Sequence, residues 1–196
     1  MVDFQKIVQS LCYVGNQRKK RCIGKIEALK IIYLADRHHL RSYGSSITGD
    51  AYYAMKRGPV ASRTKDVIEG KFGSDDHLSK YALQFITPGS DSFCAKAQKR
   101  FDCLAETDIV SLSVGYKKYV ELGENQKNIV EYTHNFPEWR KHLSSLNAGR
   151  TRVKMSVADF FDSDKRSESV EYCTAKGEQV KLNREIYLDT PECLRA

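Results

Sequence analysis

The apolar positions of this chain follow a helical spacing near the N-terminus and again in a longer stretch that begins near residue 25. The first stretch predicts an amphipathic helix with Asp3 as its N-cap, because its apolar positions lie three and four residues apart: Phe4, Ile7, Val8 and Leu11. The second predicts a helix from about Lys25 to Ser42, with Gly24 before it and Gly44 after it. Its apolar residues cover more than one face, so we expect it to be the central, most buried helix.

The middle of the chain changes to short strand patterns separated by turn residues. Ala51 to Met55 predicts a short strand, and Gly58-Pro59 predicts the start of a helix, since a proline at the first helical position gives up no needed hydrogen bond. The turn residues 88–90 predict a hairpin. Its strands are expected at alternating apolar positions, the first through Tyr81, Leu83 and Phe85 and the second through Phe93, Ala95 and Ala97.

Helical spacing returns near residue 107. We expect a helix capped by Thr107 or Asp108, and its inward face is predicted from four positions: Ile109, Leu112, Tyr116 and Val120. Further helices are expected at three stretches: Gln126 to Thr133, Pro137 to Gly149, and a short turn at Val157 to Phe161. After Asp162 a polar run predicts a linker, and Tyr172 to Leu188 fits either a strand or a helix.

Together these elements predict an α+β fold, a helix-dominated single domain with a small antiparallel sheet or hairpin. A chain of 196 residues can bury a substantial core in one such domain. We expect the domain to cover residues 1–161. Residues 162–196 are expected to form a C-terminal extension with a linker and a short ordered element.

The charge of the chain restricts the class of partner. The net charge of +7 points to an acidic partner, which is either nucleic acid or an acidic protein surface. Neither a signal peptide nor a run of apolar residues long enough to cross a bilayer is recognisable, so we expect a cytoplasmic protein with no membrane partner. Charge alone does not choose between nucleic acid and protein.

Six cysteines are scattered along the chain without a Cys-x-x-Cys pair: Cys12, Cys22, Cys94, Cys103, Cys173 and Cys193. In a reducing compartment we expect them to be small buried residues or free thiols rather than disulfides. Their spacing does not fit a zinc site.

One stretch suggests an acid–base or metal cluster, with Asp36, His38 and His39 followed by Asp50. Adjacent histidines on a regular helix point about 100° apart, so they cannot both face one ion. Asp50 is better suited to brace its turn through backbone amides, and Asp36 to pair with a basic side chain or a backbone amide. No catalytic residue, metal or cofactor is therefore predicted.

Two other groups have both a structural and a functional interpretation. His134 with Trp139 fits a partner site, but we expect a satisfied core histidine beside a packed indole. Several short helices with a hairpin would suit a winged-helix-like unit, in which Arg63 and Lys65 contact phosphates. This nucleic-acid interpretation stays open, although a solvated basic face accounts for any single Lys or Arg.

A dense series of motifs begins in the second predicted helix and continues past the first strand. It is carried by Lys30, Ile32–Asp36, Leu40, Gly44, Ile47–Asp50, Tyr52, Ala54, Gly58–Val60 and Ser62. Looser matches follow at Leu104–Asp108, Thr133-His134 and Pro137–Trp139. This series resembles the Panacea domain family, which includes SocA-like antitoxins and phage GepA-like proteins.

The resemblance covers roughly residues 24–161, and departs from the family at residue 105, where alanine replaces the usual serine. It implies an antitoxin of a toxin–antitoxin system that neutralises a cognate protein toxin by direct contact, and a phage or prophage setting is equally compatible with it. Partner contacts are predicted around the turn at residue 50 and the proline segment that follows: Asp36, Arg37, Asp50, Tyr52, Lys56, Arg57, Val60 and Ser62. A nucleic-acid-binding regulator, and an adaptor that delivers its partner to a protease, stay open as alternatives.

Overall fold

A long helix, α2 (Lys25–Tyr43), lies at the centre of the computed structural model. The structure describes three stretches of the chain: residues 2–172, residue 175 and residues 177–191. Helix α2 begins as predicted after Gly24 and ends before Gly44, which adopts the left-handed conformation (φ 79°) that glycine favours. Every residue from Ala28 to Arg41 is buried, which confirms the prediction of a central helix.

The other helices surround α2 or support the elements that do. They are α1 (Phe4–Asn16), α3 (Ser62–Ile68), α4 (Asp76–Phe85), α5 (Glu106–Glu121), α6 (Gln126–Thr133), α7 (Pro137–Arg140), α8 (Leu143–Asn147), a 3-10 helix (Val157–Phe161), α9 (Lys165–Glu168) and α10 (Gly177–Asp189). Helix α5 makes the most extensive contact with α2. A Cβ atom at Gly115 would lie 2.7 Å from the backbone oxygen of Ile31, so glycine is needed where these two helices approach.

Two small antiparallel sheets complete the fold, and the predicted helix-dominated α+β class is confirmed. Their strands are β1 (Cys22–Gly24), β2 (Tyr52–Met55), β3 (Gly58–Ala61), β4 (Ile86–Thr87), β5 (Ser92–Ala95) and β6 (Val153–Lys154). The strand order is β1-β5-β4 in one sheet and β3-β2-β6 in the other. Strands β2 and β3 form a tight hairpin, in which Met55 pairs with Gly58.

The segment at Gly58-Pro59 is a strand, so the prediction that a helix begins there is wrong. Gly58 has a φ of +91° and leads into β3, and helix α3 begins only at Ser62. Pro59 is tolerated because β3 lies at the edge of its sheet, where a missing backbone N–H can face away from the ladder.

The predicted hairpin exists, but its first strand is β4 and not the stretch through Tyr81 and Phe85. That stretch belongs to α4, whose N-cap Asp75 accepts a hydrogen bond from the backbone amide of His77 at 2.8 Å. Tyr81 and Phe85 lie four residues apart, which places them on one face of a helix, and their ring centroids are 5.0 Å apart.

Helices α5 and α6 lie where they were expected, and Leu112 on the predicted inward face of α5 is fully buried, but that face is confirmed only in part and the predicted N-cap at Thr107 or Asp108 is wrong. The helix begins after Ala105 and buries Asp108, whereas Val120 is 44% exposed. The carboxylate of Asp108 is stabilised in this position by Lys6 Nζ at 2.9 Å and His39 Nε2 at 3.2 Å. A pattern of apolar residues does not reveal a buried acidic one.

The segment from Pro137 to Gly149 is not the single helix that was predicted. It contains two shorter helices, α7 and α8, which are separated at residues 141–142. The 3-10 helix that follows confirms the predicted short turn at Val157–Phe161.

Cys22 and Cys94 form a disulfide between β1 and β5, so the prediction of free cysteines is wrong for this pair. Antiparallel pairing of the two strands places these residues opposite each other, although they are 72 residues apart in the sequence. Local spacing therefore gave no sign of the bond. Cys12 and Cys103 are free thiols, as predicted. Cys173 and Cys193 lie outside the described residues.

The described C-terminal residues pack against α2. Helix α9 lies within the stretch that was predicted as a linker, and α10 shows that the later segment is helical from residue 177 onward. The carboxylate of Glu171 pairs with Arg37 at 2.8 Å, and Asn183 Nδ2 donates to the backbone oxygen of Arg41 at 2.8 Å. The division into a domain of residues 1–161 and a C-terminal extension stays a prediction.

Candidate partner-binding groove

A groove opens between the first turns of α2, the β2–β3 hairpin and residues 149–151. Its volume of about 440 Å³ falls within the range of roughly 300–1,000 Å³ that is typical of ligand sites. Four apolar side chains line it: Ile26, Leu29, Met55 and Val60. The first two come from α2, and the hairpin supplies the others, so the groove exists only where these two elements meet.

None of the described residues that line the groove is acidic. Six basic side chains line it: Lys25, Lys30, Lys56, Arg57, Lys65 and Arg150. Lys56 and Arg57 are exposed because they form the two-residue turn between β2 and β3. Positive charges that surround an apolar surface produce a positive potential, which attracts anionic groups. We name this surface the basic groove.

Lys30 is the buried cation of the basic groove, with only 1% of its surface exposed. Its Nζ donates a hydrogen bond to the backbone oxygen of Pro59 at 2.6 Å. A Cβ atom at Gly58 would lie 3.0 Å from this Nζ and 2.9 Å from Oγ1 of Thr133. Only glycine therefore fits where the start of β3 crosses the lysine.

Lys30 has no carboxylate partner within the part of the chain that the structure describes. Burial lowers the pKa of its ammonium group, and the nearby Arg57 guanidinium lowers it further, to about 7. Buried lysines are rare unless they are paired, and perturbed titratable groups in a cleft are typical of functional sites. Lys30 is thus a candidate functional residue on the grounds of both position and charge.

Glu69 offsets the charge at one end of the basic groove. Its carboxylate contacts the ammonium groups of Lys25 at 2.8 Å, Lys65 at 2.9 Å and Lys71 at 2.6 Å. Burial alone would raise the pKa of Glu69, but hydrogen bonds from these three lysines lower it to about 2. The turn residues 56–57 at the other end make no ion pair with any described residue.

Three of the predicted partner-binding residues come together in the basic groove: Lys56, Arg57 and Val60. A fourth, Ser62, is half-buried at the start of α3, where its backbone amide donates to the oxygen of Ala51 at 2.9 Å. Partner contact by these four residues stays a prediction.

Asp36 and Tyr52 are buried and hold the loop that follows α2. The carboxylate of Asp36 accepts hydrogen bonds from the backbone amide of Ile47 at 2.8 Å, the hydroxyl of Thr48 at 2.5 Å and the hydroxyl of Tyr52 at 2.8 Å. Burial raises the pKa of Asp36, and these hydrogen bonds act in the opposite direction. The expected backbone amide partner is confirmed, since the amides of Ile47 and Thr48 both donate to Asp36, and two hydroxyl groups add to them.

Asp50 and Arg37 also serve the fold. Asp50 accepts hydrogen bonds from the backbone amides of Arg63 at 2.9 Å and Thr64 at 2.7 Å, so it stabilises the start of α3. Arg37 is fully buried, and its Nε lies 2.8 Å from the carboxylate of Glu138. Four of the predicted contact residues are therefore buried in the folded chain: Asp36, Arg37, Asp50 and Tyr52. We leave these four out of the proposed contact surface.

The two histidines of the suspected cluster have separate partners. His38 Nδ1 lies 2.9 Å from the hydroxyl of Ser111, and His39 Nδ1 lies 2.7 Å from the backbone oxygen of Ser45. Across the described residues, no group of three or more His, Cys, Asp or Glu side chains is arranged to hold a metal ion. None of the helices in the described ranges is both long and apolar enough to span a bilayer.

His134 stacks on Trp139 with ring centroids 3.8 Å apart, so the predicted packing against the indole is confirmed. Trp139 Nε1 donates to the backbone oxygen of Met55 at 3.0 Å, which ties this pair to the end of β2. His134 Nε2 is buried and has no hydrogen-bond partner among the described residues, so the histidine is less satisfied than expected. Burial lowers its pKa, and the charge of Lys30 lowers it further, to about 4.

The residues proposed to contact phosphates are engaged within the chain. Arg63 Nη2 donates to the backbone oxygen of Phe72 at 2.7 Å, and Lys65 pairs with Glu69. These contacts fix the ends of α3 and the loop after it, so they give no specific support to a nucleic-acid interface.

Sequence reasoning missed the side of the basic groove that α2 and the loop at residue 150 supply: Lys25, Ile26, Leu29, Lys30 and Arg150. A signal for Lys30 was present, since a lysine in a helix with apolar residues on more than one face must be partly buried. No comparable signal exists for Arg150, because only the folded chain brings it to α2.

The comparisons with known proteins address the family of the chain. The family model described as "Antitoxin SocA-like, Panacea domain" matches residues 29–140, which is more than half of the chain. This range includes Lys30 and the whole β2–β3 hairpin. No curated protein and no solved structure matches the chain. The resemblance inferred from the motifs is confirmed, and the chain belongs to the Panacea domain family of SocA-like antitoxins.

Proposed function

We propose that this chain is an antitoxin that neutralises a cognate protein toxin by binding it directly at the basic groove. Membership of a SocA-like antitoxin family supports the class of function. The observation that supports the site is an open apolar floor surrounded by basic side chains. Apolar contact supplies affinity, while complementary charge steers the partner and fixes its orientation.

In this proposal the antitoxin acts by covering a surface of the toxin, and no bond is made or broken. Arg57 is the residue we expect to meet the toxin first, because it is exposed at a hairpin turn and has no ion-pair partner among the described residues. Arginine is enriched among the residues that dominate binding energy, since its planar group binds carboxylates through two hydrogen bonds.

A growth test examines this proposal directly. The protein encoded by the neighbouring reading frame is expressed alone and then together with this chain, followed by co-purification. We expect the neighbour to arrest growth, and the chain to restore growth and form a complex with it. A neighbour that arrests growth without being rescued or bound would contradict the proposal.

Two charge-reversal variants locate the contact. We expect Arg57→Glu to restore growth poorly, whereas Arg100→Glu should restore it fully, because Arg100 is 87% exposed and lies outside the groove. Full rescue by Arg57→Glu at an equal protein level would contradict binding at the basic groove.

The two alternative functions give different results in the same cells. A nucleic-acid-binding regulator would bind DNA or RNA with an affinity that falls steeply as salt is raised. An adaptor for proteolysis would shorten the half-life of the toxin, whereas neutralisation by covering leaves the toxin intact within a stable complex.

A further inference from the structure

The following inference rests on the proposed function and specifies what the basic groove accepts. We propose that the groove binds an amphipathic acidic segment of the protein partner. Its apolar side chains pack on the floor formed by Ile26, Leu29, Met55 and Val60. One of its carboxylates pairs with Lys30, whose ammonium group lies under Gly58 and Pro59 in the unbound chain and becomes reachable when the start of β3 moves aside.

The apolar floor of the groove indicates that the partner segment carries apolar side chains. Ile26 and Leu29 lie three residues apart on α2, and Met55 and Val60 come from two paired strands, so the four side chains form one continuous surface. A segment that removes this surface from water gains roughly 25 cal/mol for each Å² of apolar area that it covers. A wholly polar segment would gain nothing from it.

The basic side chains around the groove indicate that the partner segment is also acidic. Six basic side chains surround the floor, and Glu69 pairs with two of them, Lys25 and Lys65. An incoming basic segment would meet like charges at the exposed turn, which costs several kcal/mol when such charges are brought together at an interface. The groove therefore selects for Asp and Glu beside the apolar residues.

Lys30 specifies where one carboxylate belongs. An ammonium group has three N–H donors, and the Pro59 oxygen at 2.6 Å is the one hydrogen-bond acceptor it contacts among the described residues. The fold satisfies another cation on α2, Arg37, with an acidic side chain, whereas beside Lys30 it places the backbone of Gly58 and Pro59 and the hydroxyl of Thr133. A partner's carboxylate would complete the pair.

A second copy of this chain is a poor occupant of the groove. The chain carries a net charge of +7, so two copies repel each other, most strongly at their basic surfaces. A partner of opposite charge satisfies the floor and the surrounding charges together.

A peptide selection tests the inference without knowledge of the toxin. A phage-displayed library of random peptides about 12 residues long, enough for three turns of helix, is selected on the full chain. Enriched peptides are synthesised, and their affinities are measured for the wild type and for Lys30→Met, Arg57→Glu and Arg100→Glu at low and at high salt.

We expect the enriched peptides to combine Leu, Ile or Phe with Asp or Glu. Lys30→Met should weaken binding by about 30-fold or more, the loss that follows removal of one partner of a buried charge pair. Arg57→Glu should weaken binding and make it less dependent on salt, whereas Arg100→Glu should bind like the wild type. Replacing the critical Glu of the peptide by Gln should weaken binding to the wild type but not to Lys30→Met.

Three outcomes would overturn the inference: no enrichment, enrichment of peptides without acidic residues, and equal affinity of the wild type and Lys30→Met. Arg57→Glu keeps the test valid if Lys30→Met misfolds, because residue 57 lies in an exposed turn and its replacement should leave the fold intact. Peptide binding without rescue in the growth test would contradict the toxin proposal alone. Rescue together with any of the three outcomes would contradict only this inference.

Discussion

Two buried cations on α2, Lys30 and Arg37, lie two helical turns apart and have opposite surroundings. Arg37 contacts the carboxylates of Glu138 and Glu171 at 2.8 Å each, and its guanidinium lies 4.1 Å from the centre of the Phe136 ring. Lys30 has the Pro59 backbone oxygen and no carboxylate among the described residues. The fold therefore completes one charge within the chain and leaves the other incomplete beside an open groove.

The pKa shifts express the same contrast. Burial alone would lower the pKa of Arg37, but the charges of Glu138 and Glu171 raise it well above its ordinary value. For Lys30, burial and Arg57 act in the same direction and lower the pKa to about 7. A buried charge that is paired within the chain contributes to the folded structure. Buried charges are normally paired, and natural proteins depart from this rule mainly at functional sites, so an unpaired buried charge in a cleft indicates such a site.

The largest effect is expected at Arg37. Replacement by Met leaves the carboxylate of Glu138 buried without its cation, which should lower the free energy of unfolding by about 3 to 5 kcal/mol. Urea denaturation measures this loss. The matched control is Arg184→Met, which removes a partly exposed ion pair with Asp162 and should change stability by less than about 1 kcal/mol. Equal effects of the two variants would contradict the structural role of Arg37.

The disulfide anchors the strand that leads into the Lys30 end of α2. Replacing Cys22 and Cys94 by Ser frees a loop of 72 residues in the unfolded chain, which should lower the free energy of unfolding by about 3 to 4 kcal/mol. Reduction of the wild type should have the same effect, and the double variant should not respond to reductant. A wild type whose unfolding is unchanged by reductant would contradict this prediction.

Lys30 is expected to reduce stability at neutral pH. Its pKa is 10.5 as the ordinary value and about 7 in the folded chain, so between these values the unfolded state binds more protons. The free energy of unfolding should therefore rise as pH increases from about 7 to 10. Removing the titrating group should add about 4 kcal/mol at pH 7, and leaving the Pro59 oxygen unpaired should cost about 1 to 2 kcal/mol. Lys30→Met should therefore be more stable than the wild type by roughly 2 to 3 kcal/mol at pH 7, and the difference should shrink towards pH 10.

Urea denaturation of both proteins across this pH range gives the difference curve. Because every other titrating group is shared, the curve isolates the contribution of Lys30. A variant that is less stable than the wild type at pH 7 would mean that Lys30 supports the fold, as Arg37 does.

The smallest effect on stability is expected at Arg57. This residue lies in an exposed turn, so Arg57→Glu should change the free energy of unfolding by less than about 0.5 kcal/mol. Thermal denaturation beside Arg100→Glu provides the comparison. A marked loss of stability would show that the turn needs arginine for folding, and would weaken its use as a probe of binding.

The elements of the fold that the sequence predicted are those set by local rules. Helix α2 was recognised from its apolar residues and from the glycines at both ends, and α6 from its spacing. Pro59 was misinterpreted, because the same residue suits a helix start and an edge strand, and only the pairing of β2 with β3 decides between them.

The candidate site was predicted only in part. Lys56 and Arg57 were predicted as partner contacts from their place in the motif region, but the floor of the groove depends on how α2 meets the hairpin. Asp36 belongs to the motifs of the family, yet it is buried and holds the loop after α2. Arg37 was predicted to contact the partner, yet it is buried and holds the C-terminal segment. A motif shows that a residue matters and does not separate folding from binding.

The most direct test of the account measures growth rescue and stability for Lys30→Met in the same experiment. The toxin is the neighbouring protein that arrests growth, and Arg100→Glu serves as the control. We predict that Lys30→Met accumulates normally and is at least as stable as the wild type, yet restores growth poorly and fails to co-purify with the toxin. Full rescue by a stable Lys30→Met would contradict the claim that the fold leaves this lysine incomplete for the sake of a partner.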